Sequence, residues 1–309
     1  MLPVIAIAKA VSYASSLALM AAGITLIYMC TRTFNFAHAT FVTWAFYIVF
    51  ALVFIAGGNP YMYLPVAFIF VGFLGVLVYL LVIGPLLRRN ASPITLMMST
   101  LGVDLVFLSF IQMFADYLTR TYKLYARRIV LETYDFSLLG IPASAVISPI
   151  IVVSTIAALH LFLARTKFGT AMRATIENPN LASILGINPN IIYLASWLIG
   201  GGLAGLGGAL ASLSIAGDPT VGNSMVVSMF ASSIVGGLYS INGSMLGGLL
   251  IGMSEYLGIL ILSGIVGGWI LPYRPVIPLI AMAVTLLVYP KGLAGINWPR
   301  LLYRIGVIK

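Results

Sequence analysis

An all-α polytopic membrane protein is the fold class that the sequence predicts, and three observations predict it. Of 309 residues, 61% are hydrophobic and only 7% charged. Mean hydropathy is +1.10. The apolar residues also fall into runs of about 20, enough to cross a hydrocarbon core of about 30 Å, with short polar punctuation between them. About eight or nine such segments are expected, including short broken or re-entrant helices, in one domain over 1–309.

The net charge of +9 does not point to nucleic acid, because many of the basic residues sit at the ends of spans, where they act as orientation signals. A single cysteine, Cys30, excludes an internal disulfide and argues against a thiolate metal site. The N-terminus does not read as a removable signal peptide. It carries only Lys9, lacks a clear small-residue cleavage site and runs straight into the first span.

The first span is expected from about Ala10 to Cys30, with Arg32 behind it. The stretch 33–40, Thr-Phe-Asn-Phe-Ala-His-Ala-Thr, interrupts the apolar sequence, which resumes to about Ala56. Gly57-Gly58-Asn59-Pro60 is a turn. A span over Met62–Leu87 closes on Arg88-Arg89, and Pro93–Phe114 carries one acid, Asp104. The loop 116–142 is mixed in charge. Ala143–Ala164 leads into a polar island, 165–190. Ile191–Ile215 is glycine-rich, and its glycines read as close helix packing. Asp218-Pro219 breaks it, and a short segment, Asn223–Leu238, ends in a turn at 239–243. Ser244–Leu262, holding Glu255, and Pro272–Tyr289 complete the spans before a basic tail with Arg300, Arg304 and Lys309.

Arg32, Arg88-Arg89, the island and the tail are all expected in the cytoplasm. Nine alternating segments satisfy this with the N-terminus outside and the C-terminus inside. The loop 116–142 is then external, where its acids offset its four basic residues.

The island has more punctuation than a connecting loop needs. Gly169 can start one short helix. Asn178-Pro179 caps and starts a second, because Asn accepts from a free amide and Pro at the first position has no N–H to leave unpaired. Gly186 stops that helix in a left-handed position, and Asn188-Pro189 launches the next span. A surface helix pair gripped by a soluble partner and an ordinary turn both fit these signals.

Each half of the chain holds one interrupted stretch, near 33–40 and near 217–243. Paired interruptions mark substrate paths in internally repeated transporters, because free backbone groups at membrane depth must line a cavity. Asn35 and His38 are three apart, on one face if helical, and a half-helix beginning there would offer amides to a carboxylate. The plainer alternative makes Asn35 a helix cap and gives His38 a bond to a neighbouring helix. Asp104 and Glu255 are acids within apolar spans, and each needs a partner or water; a transport role, a structural ion pair and a protonated carboxyl are all open. No phosphate loop, zinc-protease motif or nucleophile elbow occurs, so no enzyme chemistry is expected.

Several motifs, in order, resemble the permease family of ABC importers for branched-chain amino acids. Phe34-Asn35-Phe36-Ala37-His38 is similar to its Asn-Phe-Ala-His-Gly signature, with Ala39 in place of Gly. Gly169, Met172-Arg173-Ala174, Glu177-Asn178 and Leu185-Gly186-Ile187 resemble its cytoplasmic coupling segment. Val235-Gly236-Gly237 through Ser244 resembles its second signature, with Tyr239 and Asn242 replacing a small residue and Pro. Tyr289-Pro290-Lys291-Gly292-Leu293 resembles its C-terminal motif.

The resemblance implies a permease in a prokaryotic plasma membrane, without cofactor or metal. Its implied partners are a second related permease or a second copy, two ATP-binding subunits, an extracytoplasmic substrate-binding protein and membrane lipid. Asn35, Phe36, His38, Asn223, Gly236 and Gly237 would line the substrate path. Gly169, Met172, Arg173, Ala174, Glu177, Asn178, Leu185 and Gly186 would couple to the ATPase. Urea, amides, sugars or nucleosides remain alternative substrates, and an ion-coupled secondary transporter using Asp104, His38 or Glu255 is an alternative class.

Overall fold

The computed structural model describes residues 4–138 and 140–295; Arg300, Arg304 and Lys309 of the basic tail lie outside them. Twelve helices occur among the described residues: α1 Val4–Thr31, α2 His38–Ala56, α3 Leu64–Val78, α4 Gly84–Arg88, α5 Pro93–Tyr122, α6 Ser144–Arg165, α7 Lys167–Glu177, α8 Pro179–Ile184, α9 Pro189–Ala211, α10 Val221–Gly236, α11 Ile241–Val266 and α12 Val276–Val288. Helices α3 and α4 join through one wider turn at Tyr79–Ile83 into a single span, Pro60–Arg88. Eight helical stretches among the described residues are long and apolar enough to cross a membrane, and α10 is shorter. The protein is a multi-pass, all-α membrane protein. A two-residue hairpin, β1 Ser137–Leu138 with β2 Ile141–Pro142, is its only sheet among the described residues.

Helix α1 runs through the centre and is buried along most of its length. Glycines on different faces of α9 admit three neighbours. A Cβ on Gly207 would lie 2.7 Å from the Ser16 carbonyl of α1, and one on Gly201 2.8 Å from the Val71 carbonyl of α3. One on Gly208 would lie 2.6 Å from the Val42 carbonyl of α2. Apolar side chains gain little by leaving lipid for one another, so close backbone approach and buried hydroxyl bonds hold such a bundle. The bonds Ser12–Ser214 at 2.5 Å and Thr25–Ser233 at 2.6 Å cross α1 to the second half.

The two ends of the bundle differ in charge. At one end Arg32 donates to the Ile176 carbonyl (3.2 Å), and Tyr79, two turns before Arg88, bonds Asn190 (3.2 Å). The basic clusters at Arg32, Arg88-Arg89 and Arg165–Arg173 therefore share this basic end. At the other end the loop acids are paired: Lys9–Glu132 at 2.5 Å, Arg127–Asp116 at 2.8 Å and Tyr61–Asp135 at 2.8 Å.

Several boundaries differ from the sequence reading, and the first span already starts at Val4 instead of about Ala10. Helix α5 continues to Tyr122, so the loop expected from 116 opens inside a helix. The last span begins at Val276, because the stretch from Gly268 to Tyr273 winds as a tighter 3-10 helix containing Pro272.

Candidate functional site

The two interruptions meet inside the bundle. From Arg32, at the basic end, the chain turns back along α1 without helical structure over 33–35. His38 then bonds the Met20 carbonyl through Nε2 at 3.0 Å, which fixes the start of α2 beside the middle of α1. Met20 lies eleven residues before Thr31, a rise of about 16 Å, so by His38 the chain has returned to the depth of mid-α1. The segment 33–37 is thus re-entrant. Phe34 and Phe36 stack on Phe230 of α10, with ring centroids 5.6 and 5.2 Å apart. Helix α10 begins equally deep: the Gly222 amide donates to Thr43 Oγ1 (3.0 Å), one turn into α2. A Cβ on Gly222 would collide with the Ala39 carbonyl. Glycine is required there because two backbones touch.

Helix α5 supplies the third wall. Thr100 and Asp104, four apart, share one face. Thr100 accepts from the Phe36 amide at 3.1 Å and so holds the re-entrant segment. The Asp104 carboxylate is 5% exposed and accepts from Asn223 Nδ2 at 2.9 Å. Asp104 Oδ1, Asn223 Oδ1 and both polar atoms of Asn35 are buried and lack hydrogen-bond partners among the described residues.

The expected path residues divide. Asn35, Phe36, His38 and Asn223 lie around this crossing. Gly236 and Gly237 do not: they end α10, thirteen residues or about 20 Å beyond Asn223. There Gly236 packs on Gly243 and Ser244, and Gly237 takes a φ of +111°. Asn35 is not a helix cap, since Ala37 holds the cap position of α2 without a side-chain bond. Because Asn35 precedes the helix, it does not share a helical face with His38. The amides expected to be free for a carboxylate are partly used: Phe36 donates to Thr100, His38 to Asn35 and Ala39 to Phe36.

Glu255 has a different setting. It accepts from Arg274 Nε at 2.6 Å and from the Tyr13 hydroxyl at 3.1 Å, and the guanidinium lies 4.1 Å above the Tyr13 ring. This is an ion pair within the chain, and no local pattern pointed to Arg274 as the partner.

The polar island folds as two helices at the basic end. Thr166, not Gly169, caps the first: its Oγ1 accepts from the Gly169 amide at 2.9 Å. Gly169 sits in the first turn, where a Cβ would lie 2.6 Å from Leu163 Cα. The remaining punctuation appears as read. Asn178 accepts from the Leu181 amide at 3.0 Å, Gly186 has φ +84°, and Asn188 accepts from the Asn190 amide at 3.0 Å. Met172 faces inward and Ala174 is half-buried, whereas Arg173, Glu177 and Asn178 are exposed. Leu181, Ile184 and Leu185 are exposed beside them, Ile184 by 81% and Leu185 by 70%. Arg32 joins this element to the crossing, because it bonds α7, lies 4.9 Å from the Tyr239 ring and opens the re-entrant segment.

Comparison with known proteins agrees with this architecture. Residues 6–289 match the family model described as branched-chain amino acid transport system, permease component. The probable branched-chain amino acid transport permease protein LivH of Methanocaldococcus jannaschii is 38% identical over 94% of this chain and 92% of its own. The high-affinity branched-chain amino acid transport system permease protein LivH of Escherichia coli is 27% identical over 92% of this chain and 93% of its own. No solved structure matches.

Proposed function

The chain belongs to the family of permease components of branched-chain amino acid transport systems, and from that premise we propose that it is a membrane-spanning subunit of an ATP-driven importer of branched-chain or similar hydrophobic amino acids. The basic end faces the cytoplasm, following the positive-inside rule, and the N-terminus faces outward. The membrane is the prokaryotic plasma membrane. A soluble binding protein delivers substrate to the outer face. A second permease, related or identical, completes the path, and two separate subunits hydrolyse ATP.

The surface of α7 and α8 is the observation that carries this reading. Leu181, Ile184 and Leu185 form an apolar patch at the water-facing basic end, rimmed by Arg173, Glu177 and Asn178. An exposed apolar patch with a polar rim suits a protein partner. Gly169, Met172 and Ala174 seat α7, and Gly186 closes α8. When ATP brings the ATPases together, α7 moves with them. Arg32 passes that movement to the re-entrant segment, and the crossing of Asn35, Phe36, His38 and Asn223 alternates between the two faces. Gly236 and Gly237 hinge the far end of α10.

The test is co-purification of the tagged chain with candidate ATPase subunits. The ATPase is expected to stay bound, and Arg173→Glu and Glu177→Arg are expected to release it. A chain that purifies alone and moves solute into vesicles without ATP would contradict the proposal. It would return Asp104, His38 and Glu255 as ion-coupling candidates.

A further inference from the structure

The crossing holds a buried group whose bonding is incomplete in one direction only. Asp104 lies mid-helix in the 30-residue α5, and its carboxylate accepts from Asn223 Nδ2 at 2.9 Å, with Thr40 of α2, a neutral residue, beside it. An ionised carboxylate only accepts, so the Asn223 amide must turn its NH2 toward Asp104 and leave its carbonyl oxygen over. The two atoms that remain, Asp104 Oδ1 and Asn223 Oδ1, are both acceptors, both buried and both without a donor among the described residues. What the pair lacks is a compact group rich in N–H donors that also carries positive charge. The neighbouring surface is open: Ser224 follows Asn223 on α10, and Leu101, Gly102 and Leu105 flank Asp104 on α5, all of them exposed.

From this, we infer that Asp104 and Asn223 form the subsite that takes the ammonium group of the transported amino acid, an assignment that rests on the importer reading above. The ammonium donates to Asp104 Oδ1 and Asn223 Oδ1 and neutralises the carboxylate. The aliphatic side chain then lies against apolar surface of the crossing, where Phe36 packs on Phe230. A site built to bond a substrate group rejects an analogue that lacks it, because its own polar atoms would stay unpaired. The pair would therefore select α-amino acids over equally apolar acids.

The test uses the whole reconstituted transporter with its binding protein. Maximal uptake rates are compared for L-leucine and for 2-hydroxy-4-methylpentanoate, each supplied above saturation of the binding protein. The wild type is expected to favour leucine. Asp104→Asn should lower leucine uptake at least about tenfold and change hydroxy-acid uptake by less than about twofold, so the preference collapses. Asn223→Ala should reduce the same ratio and serves if Asp104→Asn fails to assemble. An unchanged ratio, with both rates falling together, would overturn the assignment and leave Asp104 a structural charge. Leucine uptake that requires sodium in the wild type and loses that requirement in Asp104→Asn would also overturn it, in favour of an inorganic cation. If the wild-type complex hydrolyses ATP but does not move leucine, the amino-acid reading itself fails, and the subsite fails with it.

Discussion

The two acids buried in the membrane, Asp104 and Glu255, are 5% and 2% exposed, yet their surroundings differ in kind. Glu255 has a cation at 2.6 Å and a phenol at 3.1 Å, and the guanidinium that pairs with it stacks on Tyr13. Asp104 has neutral neighbours, the Asn223 amide and Thr40. Burying an ion costs several kcal/mol in practice, and a close counter-ion offsets it. The charge at Glu255 is therefore matched by a cation within the chain, whereas no cation pairs with Asp104 among the described residues. One acid fastens α11 to the turn before α12. The other stands where two broken stretches cross. Burial alone does not separate structural from functional acids in a membrane, whereas the identity of the partner does.

The largest effect that would break this contrast is at Arg274. Arg274→Met leaves Glu255 buried without a cation and should cost about 3–5 kcal/mol, read as a lower thermal midpoint of the detergent-solubilised protein. Adding Glu255→Leu should return most of that loss. A small effect of Arg274→Met would mean that Glu255 is not held as an ion pair.

Gly222→Leu comes next. Its side chain has no room against the Ala39 carbonyl, so α2 and α10 must part at about 1–3 kcal/mol, and uptake should fall further than stability does. Thr100→Val removes the acceptor of the Phe36 amide and should cost about 1–2 kcal/mol, with faster hydrogen exchange at Phe36 as the local readout. The smallest effect on stability is expected at Asp104. Asp104→Asn removes a charge that has no cation beside it, so its stability should stay within about 1 kcal/mol of wild type, read as a thermal midpoint close to that of wild type. Equal destabilisation by Asp104→Asn and Arg274→Met would erase the contrast.

Much of the fold was legible because its signals are local. Runs of apolar residues set the spans, and Asn178-Pro179, Gly186 and Asn188-Pro189 set the island helices through capping and backbone geometry that each residue carries with it. The motif at 35–38 marked the first interruption for the same reason. The misread points depended on distant packing. Gly169 looked like a helix start, but Thr166 caps and Gly169 is needed for its missing Cβ against α6. The plainer alternative made Asn35 a cap, but the cap position of α2 falls two residues later, at Ala37. Gly236 and Gly237 stand in a recognisable motif, and the length of α10 puts them about 20 Å from Asn223, away from the crossing. The partners of Asp104 and Glu255 are 119 and 19 residues away, so no helical periodicity could name them.

The most direct measurement of the central claim is L-leucine uptake into proteoliposomes holding the permease pair, the ATPase subunits and the binding protein, with ATP inside or absent. Uptake against a gradient that requires ATP, and that fails when Leu185→Asp breaks the apolar patch on α8, is the predicted result. Uptake that proceeds without ATP, or that is indifferent to Leu185→Asp, would contradict the account.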